Sequence, residues 1–315
     1  MFFVNLPVGI IALVAGARVL VERRPADAVS AGVPDPLGVM LVVGSVSLMS
    51  LGIIEGPASN WGWGDPRVIG SVLAGLSLLV AFVLRSERHH NPVFDLDLFR
   101  VRSFATANAA TFVFALGFFA ALLTGVEFLS RVWGWSVLQT GFGIAPTPIV
   151  AAATSVIVGN HVARVGHRRI AIPGALLYSA GALLLALRTG ASPDYVAVYL
   201  PSALLLGVGI GMTISPVTAA ALAELPPSRF SAGSGVNTAI RQVGAVLGVS
   251  ILVAILGGGT LADPLRHFHI AWILIAGITA LTTVPLMLMG PVTVRDPTAP
   301  GTPGALSKSE VRASV

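Results

Sequence analysis

Long apolar runs separated by short polar stretches make up most of this sequence. Nine of them have, or nearly have, the length of about 20 residues that an α-helix needs to cross a membrane core about 30 Å thick. Helices are expected, because an open sheet would leave backbone groups without hydrogen bonds in lipid. The pattern predicts an all-α membrane protein with nine transmembrane helices, at residues 2–20, 36–54, 68–84, 104–129, 137–158, 170–187, 196–222, 235–256 and 270–288.

Composition agrees with this pattern. Of the 315 residues, 55% are hydrophobic and only 10% are charged, whereas a soluble domain averages about 25% charged residues. The net charge of +5 does not indicate nucleic-acid binding, because the basic residues lie between apolar segments and not in one stripe. The absence of cysteine excludes disulfides and cysteine-ligated metals, and the sequence predicts no cofactor and no metal site.

The basic residues also predict the orientation. If the first segment ends in the cytoplasm, 14 basic residues lie on the cytoplasmic side and four lie outside, while Arg241 falls within a segment. The positive-inside rule therefore favours an outside N-terminus and a cytoplasmic C-terminus in the cell (inner) membrane. Trp61, Trp63, Trp133 and Trp135 then fall in outer loops, where interfacial tryptophan is expected.

The first segment leaves two interpretations open. No basic residue precedes it, so it is a poor signal peptide, and its charges Arg23 and Arg24 follow it. Met1 is either a genuine start, with the segment inserting as a reverse signal anchor, or an internal methionine with earlier helices missing.

An ordered series of short motifs runs through the chain. The series begins with FFVNLPVG at residues 2–9. It continues with DPLG (35–38), PVFDLDLFR (92–100), the basic loop (159–169), GVGIG (207–211) and NTAIRQVG (237–244). Together these motifs resemble the 14-helix drug:proton antiporters of the major facilitator superfamily (the EmrB/QacA type), from about the sixth helix onward.

The resemblance implies an incomplete major facilitator fold. It comprises the last helix of an N-terminal bundle, two linker helices with a cytoplasmic loop, a cytoplasmic linker and a six-helix C-terminal bundle, at residues 1–21, 22–86, 87–103 and 104–290. Residues 291–315 are rich in Pro, Gly, Ser and Thr, which predicts a disordered cytoplasmic tail. The resemblance also implies that the helices which carry proton coupling in this family lie outside the chain.

The function that the resemblance implies is efflux of small amphipathic compounds by proton antiport, as part of a longer transporter. The expected partners are the lipid bilayer, a small-molecule substrate, protons, and either the missing N-terminal helices or a partner chain. The alternative is a truncated fragment that does not transport, or a half-transporter that needs that partner. An enzyme is not expected, because the scarce histidines and acids are scattered along the sequence.

Three polar residues of the fourth segment are candidates for the transport cavity. Asn108 and Thr111 are expected either to face a cavity or to hydrogen-bond a neighbouring helix. Glu127 has Arg131 four residues further on, so a local ion pair is the simpler expectation. The alternative for Glu127 is a cavity acid that binds a cationic drug or a proton.

Candidates for a cytoplasmic gate lie at the predicted inner face. A Glu224–Arg241 ion pair is expected there, as a structural contact or as a gate that breaks during transport, with Asn237 one turn before Arg241. The basic loop is expected to set topology or to act as a latch. The full set is Gly159, Arg164, Gly166, Arg168, Arg169, Glu224, Asn237, Arg241 and Gln242.

Two glycine pairs with a spacing of four residues are predicted to pack helices together. Gly207 and Gly211 share one helix face, as do Gly244 and Gly248 on the next helix. Small residues let helix backbones approach closely in lipid. Static close packing and a rocking contact during alternating access are both open.

Overall fold

The computed structural model describes residues 35–57, 61–89, 92–257 and 264–290, together with Gly9, Leu13 and Gly16. Every regular element in these ranges is helical, and eight helical stretches are long and apolar enough to cross a membrane. The predicted all-α membrane fold is confirmed, and eight of the nine predicted segments have a counterpart. The predicted tail and, apart from those three positions, the first predicted segment lie outside the described residues.

The described α-helices, numbered in chain order, are Pro36–Glu55 (α1), Pro66–Arg88 (α2), Arg102–Arg131 (α3), Val137–Ile144 (α4), Pro146–Val165 (α5), His167–Arg188 (α6), Leu200–Ala223 (α7), Phe230–Leu256 (α8), Pro264–Leu281 (α9) and Thr283–Leu288 (α10). Five of the eight spans are the single helices α1, α2, α3, α6 and α8. The other three combine α4 with α5, a π-type turn (Tyr195–Tyr199) with α7, and α9 with α10.

Several helices begin earlier than the apolar runs predict. The fourth predicted segment starts at residue 104, whereas α3 starts at Arg102; the eighth starts at residue 235, whereas α8 starts at Phe230. Polar residues extend a helix beyond the lipid, so apolar runs underestimate helix length. The predicted segment 137–158 is divided at Ala145, because Pro146 has no backbone N–H to donate to the preceding turn.

Helix α3 lies at the centre of the bundle formed by α3 to α10. It packs against α7, α8 and α9, and against the shorter α4 and α10. Its buried face combines small residues such as Ala107 and Ala110 with large rings such as Phe104 and Phe128. This alternation of small and large side chains lets several helices reach the same central element.

Helices α1 and α2 form an antiparallel pair, and α1 also packs against α8. The pair crosses closely: a Cβ added at Gly75 of α2 would lie 2.9 Å from the carbonyl oxygen of Ser45 on α1. Most of their remaining surface is apolar and exposed, as at Met40 and Leu73. Such a surface suits contact with lipid.

Hydrogen bonds and ion pairs join the helix ends. At the end predicted to be cytoplasmic, hereafter the inner end, Arg102 Nε donates to Leu288 O (3.1 Å) and Ser103 Oγ donates to Glu224 Oε2 (2.7 Å). At the opposite, outer end, Trp133 Nε1 donates to Gly190 O at 3.0 Å. These contacts join neighbouring segments at the inner and the outer end of the bundle.

A partly buried ion pair joins the start of α1 to the end of α2. Arg85 donates from Nε to Asp35 Oδ2 at 2.6 Å and from Nη2 to Asp35 Oδ1 at 2.9 Å. Asp35 is buried and also caps α1 by accepting from the Leu37 N–H at 3.1 Å. The hydrogen bonds from Arg85 lower the pKa of Asp35 from 3.8 to about 2.

This pair predicts an acid-sensitive contribution to stability. Because the folded-state pKa of Asp35 is depressed, its contribution is present above the unfolded-state pKa near 3.8 and is lost as pH falls through about 2. We expect Asp35→Asn to lower the melting temperature in detergent at about pH 6, with the difference from wild type shrinking between about pH 4 and pH 2. A difference that stayed constant over this range would contradict the role of the carboxylate charge.

Candidate functional site

A cavity of about 240 Å³ opens in the outer half of the bundle. Helices α3, α5 and α7 form most of its wall, and α4, α6 and α9 contribute one large side chain each. Its lining is Phe118, Ala121, Leu122, Gly125, Ile144, Thr147, Pro148, Ala151, Tyr178, Tyr199, Leu206, Ile210 and Trp272. A largely apolar concavity with a few polar groups is typical of small-molecule sites.

Aromatic rings give this cavity its chemical character. Phe118 and Tyr178 lie with ring centroids 6.5 Å apart, while Tyr199 packs on Trp133 at 5.8 Å. Trp272 is 1% exposed, and its Nε1–H has no hydrogen-bond partner among the described residues. Rings of this kind offer flat contact area to an apolar molecule and a few polar atoms that orient it.

Small residues keep the cavity open. A Cβ added at Gly125 of α3 would lie 2.9 Å from the hydroxyl oxygen of Tyr199. Ala121 of α3 and Ala151 of α5 also line the space with single methyl groups. Larger side chains at these positions would take up the volume now available to a ligand.

The cavity candidates Asn108 and Thr111 form a buried polar cluster with Asn237 of α8. Asn237 Nδ2 donates to Asn108 Oδ1 at 2.9 Å and to Thr111 Oγ1 at 3.1 Å, and Asn108 Nδ2 donates to Phe104 O at 2.8 Å. Asn108 therefore joins α3 to α8. Of the two expectations for this residue, a cavity position or a hydrogen bond to a neighbouring helix, the structure has the hydrogen bond. Thr111 joins α3 to α8 as well, and it also lines a second, smaller recess.

Arg241 of α8 lines that recess. The recess has a volume of about 20 Å³, lies between α3, α7 and α8, and shares Phe118 with the larger cavity. In the part of the chain that the structure describes, Arg241 forms no ion pair and no hydrogen bond. The site thus contains one guanidinium without a counter-charge among the described residues.

The expected Glu224–Arg241 pair does not form among the described residues. Glu224 ends α7 at the inner end and accepts its hydrogen bond from Ser103. Because α8 begins at Phe230, Arg241 lies about 16 Å along the axis from the start of its helix, at 1.5 Å per residue. The apolar pattern started this helix at residue 235, so it placed Arg241 closer to the start of the helix than the structure does.

Glu127 lies near the outer end of α3, half-buried, and forms an ion pair with Arg131 one turn later. The two side chains line a recess of about 110 Å³ with residues of α8, including Leu252 and Leu256. Glu127 is therefore paired within its own helix and does not line the aromatic cavity.

The basic loop is a tight turn between α5 and α6. Gly166 alone separates these helices and has φ of +97°, a conformation that a side chain would strain. Around it, Arg164, Arg168 and Arg169 are exposed and form no ion pair with any described residue. Two further gate candidates, Gly159 and Gln242, are also exposed.

The two glycine pairs lie against neighbouring backbones. Cβ atoms added at Gly207 and Gly211 would lie 2.7 Å and 2.8 Å from carbonyl oxygens of α5. One added at Gly244 would lie 2.8 Å from Phe112 O of α3, and one at Gly248 would overlap Leu116 O. Helix α7 thus packs on α5, and α8 on α3, with almost no space between the backbones.

Sequence reasoning missed the aromatic cavity and Thr218, a further residue of the Arg241 recess. The cavity rings come from different helices and share no spacing along the chain. The available signal was indirect: tyrosine is rare here, with three residues, and all three lie on or next to the cavity.

The chain matches the model of the Major Facilitator Superfamily over residues 1–249 and 109–312. It is 31% identical over 256 residues to the Multidrug resistance protein B homolog of Mycobacterium tuberculosis, covering 81% of this chain and 47% of that protein. It is 31% identical over 271 residues to a puromycin resistance protein of Streptomyces alboniger, covering 84% and 52%.

A third relative is the Tetracenomycin C resistance and export protein of Streptomyces glaucescens, 28% identical over 251 residues that cover 80% of this chain and 46% of that protein. The chain spans about half the length of these relatives. With a family-model match over most of its length and a helical membrane fold, this chain belongs to the Major Facilitator Superfamily.

Proposed function

We propose that this chain takes part in the export of small amphipathic compounds across the cell membrane. The observation that carries the proposal is the aromatic cavity of about 240 Å³ between α3, α5 and α7. It is apolar enough to take up the body of an amphipathic molecule from lipid, and its polar ring atoms can orient that molecule.

The relatives support the same direction. Their names describe multidrug resistance, puromycin resistance, and tetracenomycin C resistance and export. These compounds are named for the relatives and not for this chain. For this chain we propose only the class that they share, which is small molecules with apolar bodies. In the full 14-helix arrangement that the sequence resembles, the bundle α3 to α10 forms one wall of the transport pathway.

Close packing of α7 on α5 and of α8 on α3 supports movement of these helices as pairs during alternating access. The exposed arginines around Gly166 are proposed to face the cytoplasm and to contact acidic groups there in one transport state. Proton antiport is proposed as the driving reaction, with Glu127 at the outer end as a candidate participant.

A dye-accumulation assay tests the proposal. Bacterial cells that lack their main exporters and express this chain should accumulate less of a fluorescent amphipathic dye than cells with an empty vector. Addition of a protonophore should abolish the difference if a proton gradient drives export. Efflux that appears only after co-expression of the N-terminal helices of the M. tuberculosis relative would support the half-transporter alternative. Equal accumulation in every arm would contradict the proposal.

A further inference from the structure

The Arg241 recess is lined by four side chains that can donate a hydrogen bond and that have no acceptor among the described residues. They are the guanidinium of Arg241 and the hydroxyls of Thr111, Thr213 and Thr218. The Thr111 oxygen accepts from Asn237, which leaves its proton free to donate. Donors from α3, α7 and α8 thus line one small space.

The threonine hydroxyls of the recess are not used by their own helices. A helical threonine can donate to a carbonyl oxygen of the preceding turn, as Thr124, Thr189 and Thr279 do at 2.6–2.8 Å. Thr111 and Thr218 make no such bond in the described part of the chain. Their hydroxyl protons are therefore available to a ligand in the recess.

The position of Arg241 within the span favours an anion as the ligand of the recess. It is half-buried, about 16 Å along α8 from Phe230, and its guanidinium offers only hydrogen-bond donors. A charge at membrane depth without a counter-charge is costly. An acceptor-only anion would supply the counter-charge and accept hydrogen bonds from Arg241 and the threonine hydroxyls.

The size of the recess selects the kind of anion. A space of about 20 Å³ admits one small group, not a whole molecule. The recess is open, and Phe118 lines both it and the aromatic cavity of about 240 Å³. A molecule with a carboxylate at Arg241 and an apolar body in the larger cavity would occupy both spaces.

We propose that Arg241, with Thr111 and Thr218, binds the carboxylate of an amphipathic substrate whose aromatic body lies in the neighbouring cavity. This inference rests on the proposed function and adds a substrate class to it: amphipathic carboxylates. A carboxylate side chain from another segment of a longer protein is the competing source of the counter-charge, and the wild-type measurement below separates the two.

The test compares three probes with the same aromatic body. They are 1-naphthoate, neutral 1-naphthamide and cationic 1-naphthylmethylamine, dialysed to equilibrium against the purified chain in lipid nanodiscs, with empty nanodiscs subtracted. We expect wild type to bind naphthoate about tenfold to a hundredfold more tightly than naphthamide, as charge-assisted hydrogen bonds imply, and the cation most weakly. Equal Kd values for naphthoate and naphthamide would overturn the inference and indicate that another group neutralises Arg241.

Variants then assign the preference to named groups. Arg241→Gln should raise the Kd of naphthoate to that of naphthamide, and Arg241→Lys should keep part of the preference because it keeps the charge. Thr218→Val should weaken naphthoate binding by a smaller factor, and it provides the test if Arg241→Gln does not fold. The control is Arg188→Gln, an exposed arginine at the end of α6 that lines neither space.

Retention of the full naphthoate preference in Arg241→Gln would also overturn the inference. Failure of the proposed function would be distinguishable from failure of this inference. In that case wild type would bind none of the three probes and would not lower dye accumulation in cells. Equal binding of naphthoate and naphthamide, by contrast, leaves the proposed function intact and removes only the carboxylate assignment.

Discussion

Replacement of Gly248 by alanine is expected to destabilise the bundle more than any other single methyl group added to α8. A Cβ at this position would overlap the carbonyl oxygen of Leu116 and lie 2.9 Å from the Leu116 Cα. These atoms belong to the backbone of α3, which cannot rotate away as a side chain can. The helices must separate, and we expect the free energy of unfolding to fall by about 3 kcal/mol.

Thermal unfolding in detergent, followed by loss of the monodisperse peak in size-exclusion chromatography, measures this effect. Gly235→Ala is the matched control, because it lies on the same helix and an added Cβ would meet no atom within 4 Å. Alanine favours helix over glycine by about 0.5–1 kcal/mol, so this variant should melt at the same or a higher temperature. Equal melting temperatures for the two variants would show that the α3–α8 contact does not limit stability.

Replacement of Ala151 by phenylalanine is expected to remove most ligand binding. Ala151 of α5 is buried and lines the aromatic cavity, so a phenyl ring there would occupy a large part of its 240 Å³. A probe such as 1-naphthamide would lose its place between the walls, and its Kd should rise about tenfold or more. Equilibrium dialysis against the chain in nanodiscs measures the change.

The neighbouring residue offers a matched control for this substitution. Ala152 is exposed and lines none of the three spaces described above, so Ala152→Phe adds the same ring toward the surroundings of the bundle. Its Kd for the probe should stay at the wild-type value, and both variants should elute as folded protein. Equal weakening of binding in both variants would mean that the probe does not bind in the cavity.

The transmembrane helices were the most predictable part of this protein. Lipid leaves the backbone few alternatives, so an apolar run near 20 residues is enough evidence for a spanning helix. The helix ends were less predictable, because polar residues such as those preceding residue 235 continue α8 beyond the apolar run. That difference places Arg241 further from the start of α8, and Glu224 accepts from Ser103, so the predicted pair with Glu224 does not form among the described residues.

The candidate site was predictable only in its polar members. Asn108, Thr111 and Asn237 stood out because polar residues are rare in the spans, yet their mutual hydrogen bonds join positions 126 and 129 residues apart in the chain. The aromatic cavity could not be predicted, because Phe118, Tyr178 and Trp272 look like ordinary apolar positions on three separate helices.

By itself, the sequence determined the membrane class, the helical fold, eight described spans in order, and a family resemblance that the comparisons bear out at superfamily level. These follow from local properties, since hydropathy and backbone hydrogen bonding act within one segment. Only the tertiary structure decided that Arg241 has no partner among the described residues and that six helices enclose an aromatic cavity. Both depend on which faces of distant helices meet, and that is set by close packing at glycines such as Gly248, not by any single run of residues.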